Sequence, residues 1–282
     1  MSVIIELKDY SWKYLHSQQP ALNDINLQIE EGMFVGIIGP NGSGKTTLAY
    51  SMNGLIPGQY NGIKNGEVLV YGREVEQYGH GELQKIAGMV FSDPEAQFTA
   101  MTVEDELVFG LENLGMSIPE IRERLEWVVE LTGLEKMLLK PPYELSGGQK
   151  QRVALAAVLA MTPKILILDE PTTMLDPVSR RRVFDVLAKL KKEQHNTIIV
   201  IEHNLENLIP LADRMILLSN SKLMLEDETG RFFQNMELLM QEGINPPGAL
   251  RFFHEMQKAG YAKDSLPVNL SEASRQLMQL FG

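Results

Sequence analysis

Phe34-Val-Gly-Ile-Ile38 runs directly into Gly39-Pro40-Asn41-Gly42-Ser43-Gly44-Lys45-Thr46-Thr47. The continuous apolar run predicts a fully buried strand. The stretch after it has the spacing G-x-x-x-x-G-K-[ST]. Its glycines let consecutive backbone N–H groups curl around an anion. Lys45 adds a positive charge for the outer phosphates, and Thr46 offers a hydroxyl to Mg²⁺. From Thr46 the pattern reads as a helix ending near Gly54, which supplies the strand–loop–helix setting a phosphate loop needs. The competing reading is a structural glycine turn with an exposed lysine.

A second glycine-rich run, Leu145-Ser146-Gly147-Gly148-Gln149, opens a further predicted helix, Gln149 to Ala160. Helix openings of this kind hold phosphate. One nucleotide rarely needs two such loops from one subunit. The economical arrangement is two copies of the domain with ATP between them, each lending its second loop to the other's nucleotide.

Outward from these loops the chain alternates strand and helix. Ile25, Leu27 and Ile29 alternate with polar neighbours as in a half-buried strand, and residues 66–72 read as another short strand. From Thr102 to Thr162 the pattern becomes helical. Thr102 starts a capping-box-like run with Asp105 in the Glu position. Ile121, Leu125, Val128 and Val129 form one stripe of a helix over 119–131. Strands return at Ile165–Leu168, Thr197–Ile201 and Met215–Leu218, with a helix over 178–193 and a hairpin turn at Asn220-Ser221. This order predicts an α/β P-loop NTPase with a parallel-sheet core. An N-terminal antiparallel β subdomain, a helical insertion at about 98–162 and a small C-terminal helical extension are expected beside it. The expected division is an ATPase domain over 1–225 and an extension over 226–282.

The 282 residues carry a net charge of −11, from 26 basic and 37 acidic side chains, which weighs against broad attraction to nucleic acid. There is no Cys, which removes disulfide frameworks and thiolate metal sites. No signal-peptide pattern is visible. The longest apolar run, Val153 to Met161, falls short of the roughly 18 residues of a membrane span. Dealings with a membrane are expected to go through a partner.

Asp169 and Glu170 follow an apolar strand, where ligands bind in open α/β sheets. Asp169 is the candidate for the Mg²⁺ shell, and Glu170 for orienting or deprotonating the attacking water. His203 also emerges just beyond a buried strand and is a candidate contact for the γ-phosphate. His16, His80, His195 and His254 carry no assigned role. Tyr14 is a candidate for stacking on adenine, with Trp12 and Tyr10 as competitors. The 15 Met residues read as core filler and flexible contact surface.

In order along the chain, Gly39–Thr47, Leu145–Gln149, Ile165–Glu170, Leu175-Asp176 and His203 resemble the ATP-binding subunits of ABC transporters. The resemblance covers roughly residues 3–225. It implies an ATPase that uses ATP and Mg²⁺, with Thr46 and Asp169 holding the metal and Glu170 and His203 serving hydrolysis. It implies that Ser146, Gly147, Gly148 and Gln149 reach the γ-phosphate of the opposite subunit. It selects Tyr14 over Trp12 for adenine, and makes Asp176 part of a loop communicating across the dimer. Val90-Phe91-x-Asp93-Pro94-x-x-Gln97 and Thr102-Val-Glu-Asp-Glu-Leu-Val-Phe-Gly-Leu-Glu-Asn113 are similar to energy-coupling-factor (ECF) transporter ATPases, as are Arg231-Phe-Phe and Pro246-Pro247 in the C-terminal segment. That narrower resemblance implies a peripheral subunit on the cytoplasmic side of the membrane, serving uptake of a vitamin or transition-metal ion, with the extension over 226–282 adding dimer contacts. Its partners would be a second ATPase subunit, identical or not, a transmembrane coupling protein and, through it, a substrate-capture membrane protein.

Two positions depart from the family pattern. Ser92 stands where Gln is usual in the loop that senses the membrane partner, and Gln97 is a poor substitute by position. Glu202 stands where Thr is common. Neighbours on a strand face opposite ways, so it is expected to leave His203 undisturbed. The alternative function is a soluble ABC-type ATPase acting on ribosomes or nucleic acid, which the single ATPase unit and the acidic balance disfavour. A GTPase or kinase leaves Leu145–Gln149 unexplained.

Overall fold

The structure, a computed structural model, describes residues 2–79, 81–173, 175–194, 196–261, 267 and 270–281. His80 and His195 lie outside the described residues.

The strands are β1 (Val3–Tyr14), β2 (Leu22–Glu30), β3 (Phe34–Ile38), β4 (Gly62–Val70), β5 (Arg73–Glu74), β6 (Ala87–Val90), β7 (Ile165–Asp169), β8 (Thr197–Ile201), β9 (Arg214–Ser219) and β10 (Lys222–Glu228). They form two sheets. One has four strands in the order β2-β1-β4-β5, antiparallel throughout. The other has six in the order β10-β9-β3-β8-β7-β6, parallel except for the edge hairpin β9–β10. The hairpin turns at Asn220 and Ser221, with φ of 49° and 63°. Two successive positive values suit the right-handed twist of the flanking strands.

Both faces of the six-stranded sheet are covered, which explains the continuous apolar runs. Phe34 and Ile38 on β3, Leu166 and Leu168 on β7, and Ile198 and Val200 on β8 join a core with the helices. Their neighbours Val35, Ile37, Ile165, Ile167, Ile199 and Ile201 join a second core with the antiparallel sheet and the helix Lys45–Asn53.

The helical insertion consists of Val103–Asn113, Ile118–Thr132 and Gly147–Ala160. Thr102 Oγ1 accepts the Asp105 N–H at 3.1 Å and donates to its carboxylate at 2.6 Å. Val128 and Val129 are buried, with Ile121 and Leu125 packed beside them. The third helix begins at Gly147, two residues before the sequence-based start, because Ser146 is its N-cap. The strand expected at 66–72 is displaced to 62–70, where β4 pairs with β1. Beyond β10, short helices bring Phe232, Phe233, Met236, Leu239, Leu250 and Phe253 into the same core as the insertion. No helix among the described residues is long and apolar enough to cross a membrane.

Candidate active site

Three adjacent strands, β3, β8 and β7, deliver their C-terminal ends to one edge of the sheet. β3 passes into the phosphate loop and then the helix Lys45–Asn53, with Gly44 as its N-cap. Lys45 is 5% exposed, and its Nζ donates to the carbonyls of Gly39 and Pro40 at 3.0 Å each. Burial pulls the Lys45 pKa down, while the charges of Glu170 and Asp169 oppose that pull.

β7 ends at Asp169, which is buried. Burial pushes its carboxyl pKa up, a hydrogen bond with the Thr46 side chain holds it back, and nearby Glu170 adds to the rise. Asp169 Oδ1 and Ser43 Oγ are both buried with no hydrogen-bond partner among the described residues. Buried oxygens without a protein partner at this edge are compatible with an ion or water held there. The hard-oxygen pair Thr46 and Asp169 suits Mg²⁺. No group of three or more His, Cys, Asp or Glu side chains among the described residues forms a cage by itself. An ion here would complete its shell with phosphate oxygens and water, as Mg²⁺ does.

Glu170 has φ of 50°, a left-handed backbone uncommon outside glycine. Its N–H extends the ladder to Ile201 O at 3.0 Å. Its Oε1 lies 2.9 Å from His203 Nε2, and Thr173 Oγ1 donates to its Oε2 at 3.2 Å. The acid and the imidazole singled out from strand ends therefore meet.

Tyr14 OH is 3.2 Å from Thr47 Oγ1, and its ring is edge-on to Trp12 and Tyr60. Trp12 and Tyr10 are core residues, 1% and 0% exposed, and burial pushes the Tyr10 hydroxyl to about 12. Of the three candidates, Tyr14 alone reaches the loop helix while staying half-exposed.

Ser146 and Gly147 are exposed, and the Ser146 N–H donates to Gln149 Oε1 at 2.9 Å. Gln149 thus closes a capping box. A Cβ on Gly148 would come within 2.5 Å of Ser179 Oγ. Ser179 Oγ in turn donates to Asp176 Oδ2 at 2.5 Å, and Asp176 Oδ1 accepts the N–H groups of Val178 and Ser179 at 3.0 Å. The Ser146 turn and the Asp176 loop are therefore neighbours. Ser92 lies elsewhere, exposed in a cleft of about 530 Å³ shared with Tyr50, Phe91, Gln97 and Phe98. The structure brings Gln97 and Ser92 to one cleft, which their spacing does not suggest.

The strand argument for Glu202 does not hold, although the His203 ring still meets Glu170. β8 stops at Ile201, so Glu202 is not on the strand, and its carboxylate accepts the His203 N–H at 2.9 Å. An acidic residue beside a site histidine is the sequence signal for this contact.

The profile described as ABC transporter matches residues 22–173, over half of the chain. The chain belongs to this family. It is an ABC transporter ATP-binding subunit, and its activity is ATP hydrolysis. A putative ABC transporter ATP-binding protein of Pyrococcus abyssi is 41% identical over 97% of this chain and 99% of its own length. The energy-coupling factor transporter ATP-binding protein EcfA1 of Caldanaerobacter subterraneus is 40% identical over 92% of this chain and 93% of its own. The structure of cbiO1 from Clostridium perfringens, part of the ABC transporter complex cbiONQ, superposes with a TM-score of 0.75 at 31% identity. It covers 91% of this chain and 100% of that one. An ATP-binding cassette solved as a dimer with ADP and phosphate has a TM-score of 0.71 at 30% identity, covering 80% of this chain and 99% of that one.

Proposed function

We propose that this subunit is the motor of an ECF-type importer, taking up a vitamin or transition-metal ion. One phosphate loop and the Ser146 turn of a second ATPase subunit close on each ATP. The observation that carries this reading is the exposed Ser146–Gly147 helix opening, capped by Ser146. The dimeric cassette and the EcfA1 relative support it.

Lys45, the loop N–H groups and Tyr14 bind the nucleotide. Thr46 and Asp169 would hold Mg²⁺, which would offset phosphate charge when bound. Glu170 orients the attacking water and takes its proton, and His203 fixes the Glu170 carboxylate and contacts the γ-phosphate. Closure moves a transmembrane coupling protein, and a separate membrane protein captures the substrate.

Glu170→Gln keeps the shape but removes the base. We expect ATP binding within about twofold of the parent, turnover lowered at least ~100-fold, and a closed dimer trapped by ATP on size exclusion. Normal turnover would remove Glu170 from this role. Purification of the full chain in detergent is expected to bring membrane proteins with it. Ribosomes or DNA in their place would favour the soluble alternative.

A further inference from the structure

Glu202 is 1% exposed, and no step above uses it. A carboxylate is buried at a cost unless its oxygens accept hydrogen bonds. Here Oε2 accepts the backbone N–H groups of His203 at 2.9 Å and Asn204 at 3.2 Å, and Oε1 accepts the hydroxyl of Thr172. Thr172 is also 1% exposed and lies two residues beyond Glu170. One side chain therefore ties the loop after β8 to the loop after β7. Those two loops carry His203 and Glu170, which meet at 2.9 Å. The Glu202 N–H donates to Ile37 O at 3.2 Å, which anchors the brace to the strand that feeds the phosphate loop.

We propose that Glu202 is a positioning residue for hydrolysis, bracing the two loops so that the Glu170–His203 pair keeps its geometry through turnover. It acts through the contact between His203 and Glu170. The proposal rests on the reading of that pair as the hydrolytic one. Misplacing a catalytic group by about 1 Å costs on the order of 100-fold in rate. Glu202→Ala removes all three acceptor contacts and is expected to lower kcat ~10–100-fold, with KM for ATP within about twofold. Glu202→Gln preserves the contacts. Its amide oxygen accepts both N–H groups, and its NH₂ donates to a Thr172 hydroxyl that reverses roles. Gln is therefore expected to recover most of the lost rate. Thr172→Val breaks one contact without touching Glu202 and is expected to cost ~3–10-fold in kcat.

The test is MgATP turnover of the full chain in its co-purified complex, measured for these variants alone and in a His203→Ala background. If Glu202 works through His203, the Glu202→Ala loss shrinks to under about threefold once His203 is gone. Parental kcat in Glu202→Ala, the full loss repeated in the His203→Ala background, or no recovery by Gln would each overturn the proposal. Should Glu202→Ala fail to fold, Thr172→Val decides in the same backgrounds. Normal turnover in Glu170→Gln would instead strike the assignment of the pair, which keeps the two failures apart.

Discussion

At the scale of the residue, Gly44 shows how little freedom the phosphate loop has. Its φ is 105°, and a Cβ there would lie 2.2 Å from the Ala21 carbonyl oxygen. Backbone against backbone leaves no flexible atom to yield. Gly44→Ala is expected to destabilise the chain by about 1–3 kcal/mol and to abolish the rise in Tm that ATP gives the parent, read by thermal unfolding with and without nucleotide. Ser92 poses the opposite case, an exposed side chain with room around it. Ser92→Gln lengthens it toward the reach usual in the family. We expect a changed ATPase rate or Mg²⁺ dependence in the assembled transporter, and no change in either would show that the loop works equally well with Ser. The phosphate loop was legible because its pattern is contiguous. Tyr14 was not separable from Tyr10 and Trp12 by pattern, because all three have the same parity on β1 and only the end of the sheet leaves Tyr14 half-exposed. The contacts of Glu202 were not legible because alternation applies only within a strand, and Glu202 and His203 both lie beyond the end of β8.

At the scale of the element, Asp176 opens the helix Pro177–Gln194. It accepts the Val178 and Ser179 N–H groups, which have no partner within the helix. The Ser179 hydroxyl and these N–H groups hold its carboxyl below the ordinary 3.8. A folded value below the unfolded one means the cap contributes fully above pH 3.8 and is lost as pH falls through the lower, folded value. Asp176→Ala should therefore lower Tm by ~2–4 °C at neutral pH, with the gap to the parent closing as the pH is taken below 3.8. A constant gap across that range would mean the loss comes from packing. Elements buried on both faces, such as β3 and β8, were legible to the residue because nothing interrupts their apolar runs. β1 was hidden by its irregularity. Asp9 has φ of 48°, and its pairing with β2 slips between Leu7 and Tyr10. A slip of this kind breaks the two-residue alternation on which strand reading depends.

At the scale of the whole molecule, the segment after β10 is bound to the cassette more deeply than its sequence implies. Mixed short helices around Pro246-Pro247 resemble an appendage. Yet Phe232, Phe233, Met236, Leu239, Leu250 and Phe253 are buried in the core that holds the insertion helices and one face of the parallel sheet. Ser219, the last residue of β9, donates to Glu242 at 2.5 Å. The turn Gly243–Asn245 then lines a recess with Pro40, Asn41, Glu202 and His203. Phe233 is fully buried, so Phe233→Ala should cost about 3–5 kcal/mol. Deleting everything after Glu228 removes six such side chains at once and bares the sheet face beneath them. A cassette with a detachable tail would survive that deletion as a folded, ATP-binding monomer. A cassette whose core includes the tail would lose its cooperative unfolding transition and its ATP-induced rise in Tm together. We expect the second outcome in scanning calorimetry of the chain ended at 228. A parental unfolding midpoint there would mean that the tail's apolar side chains cover the core without stabilising it.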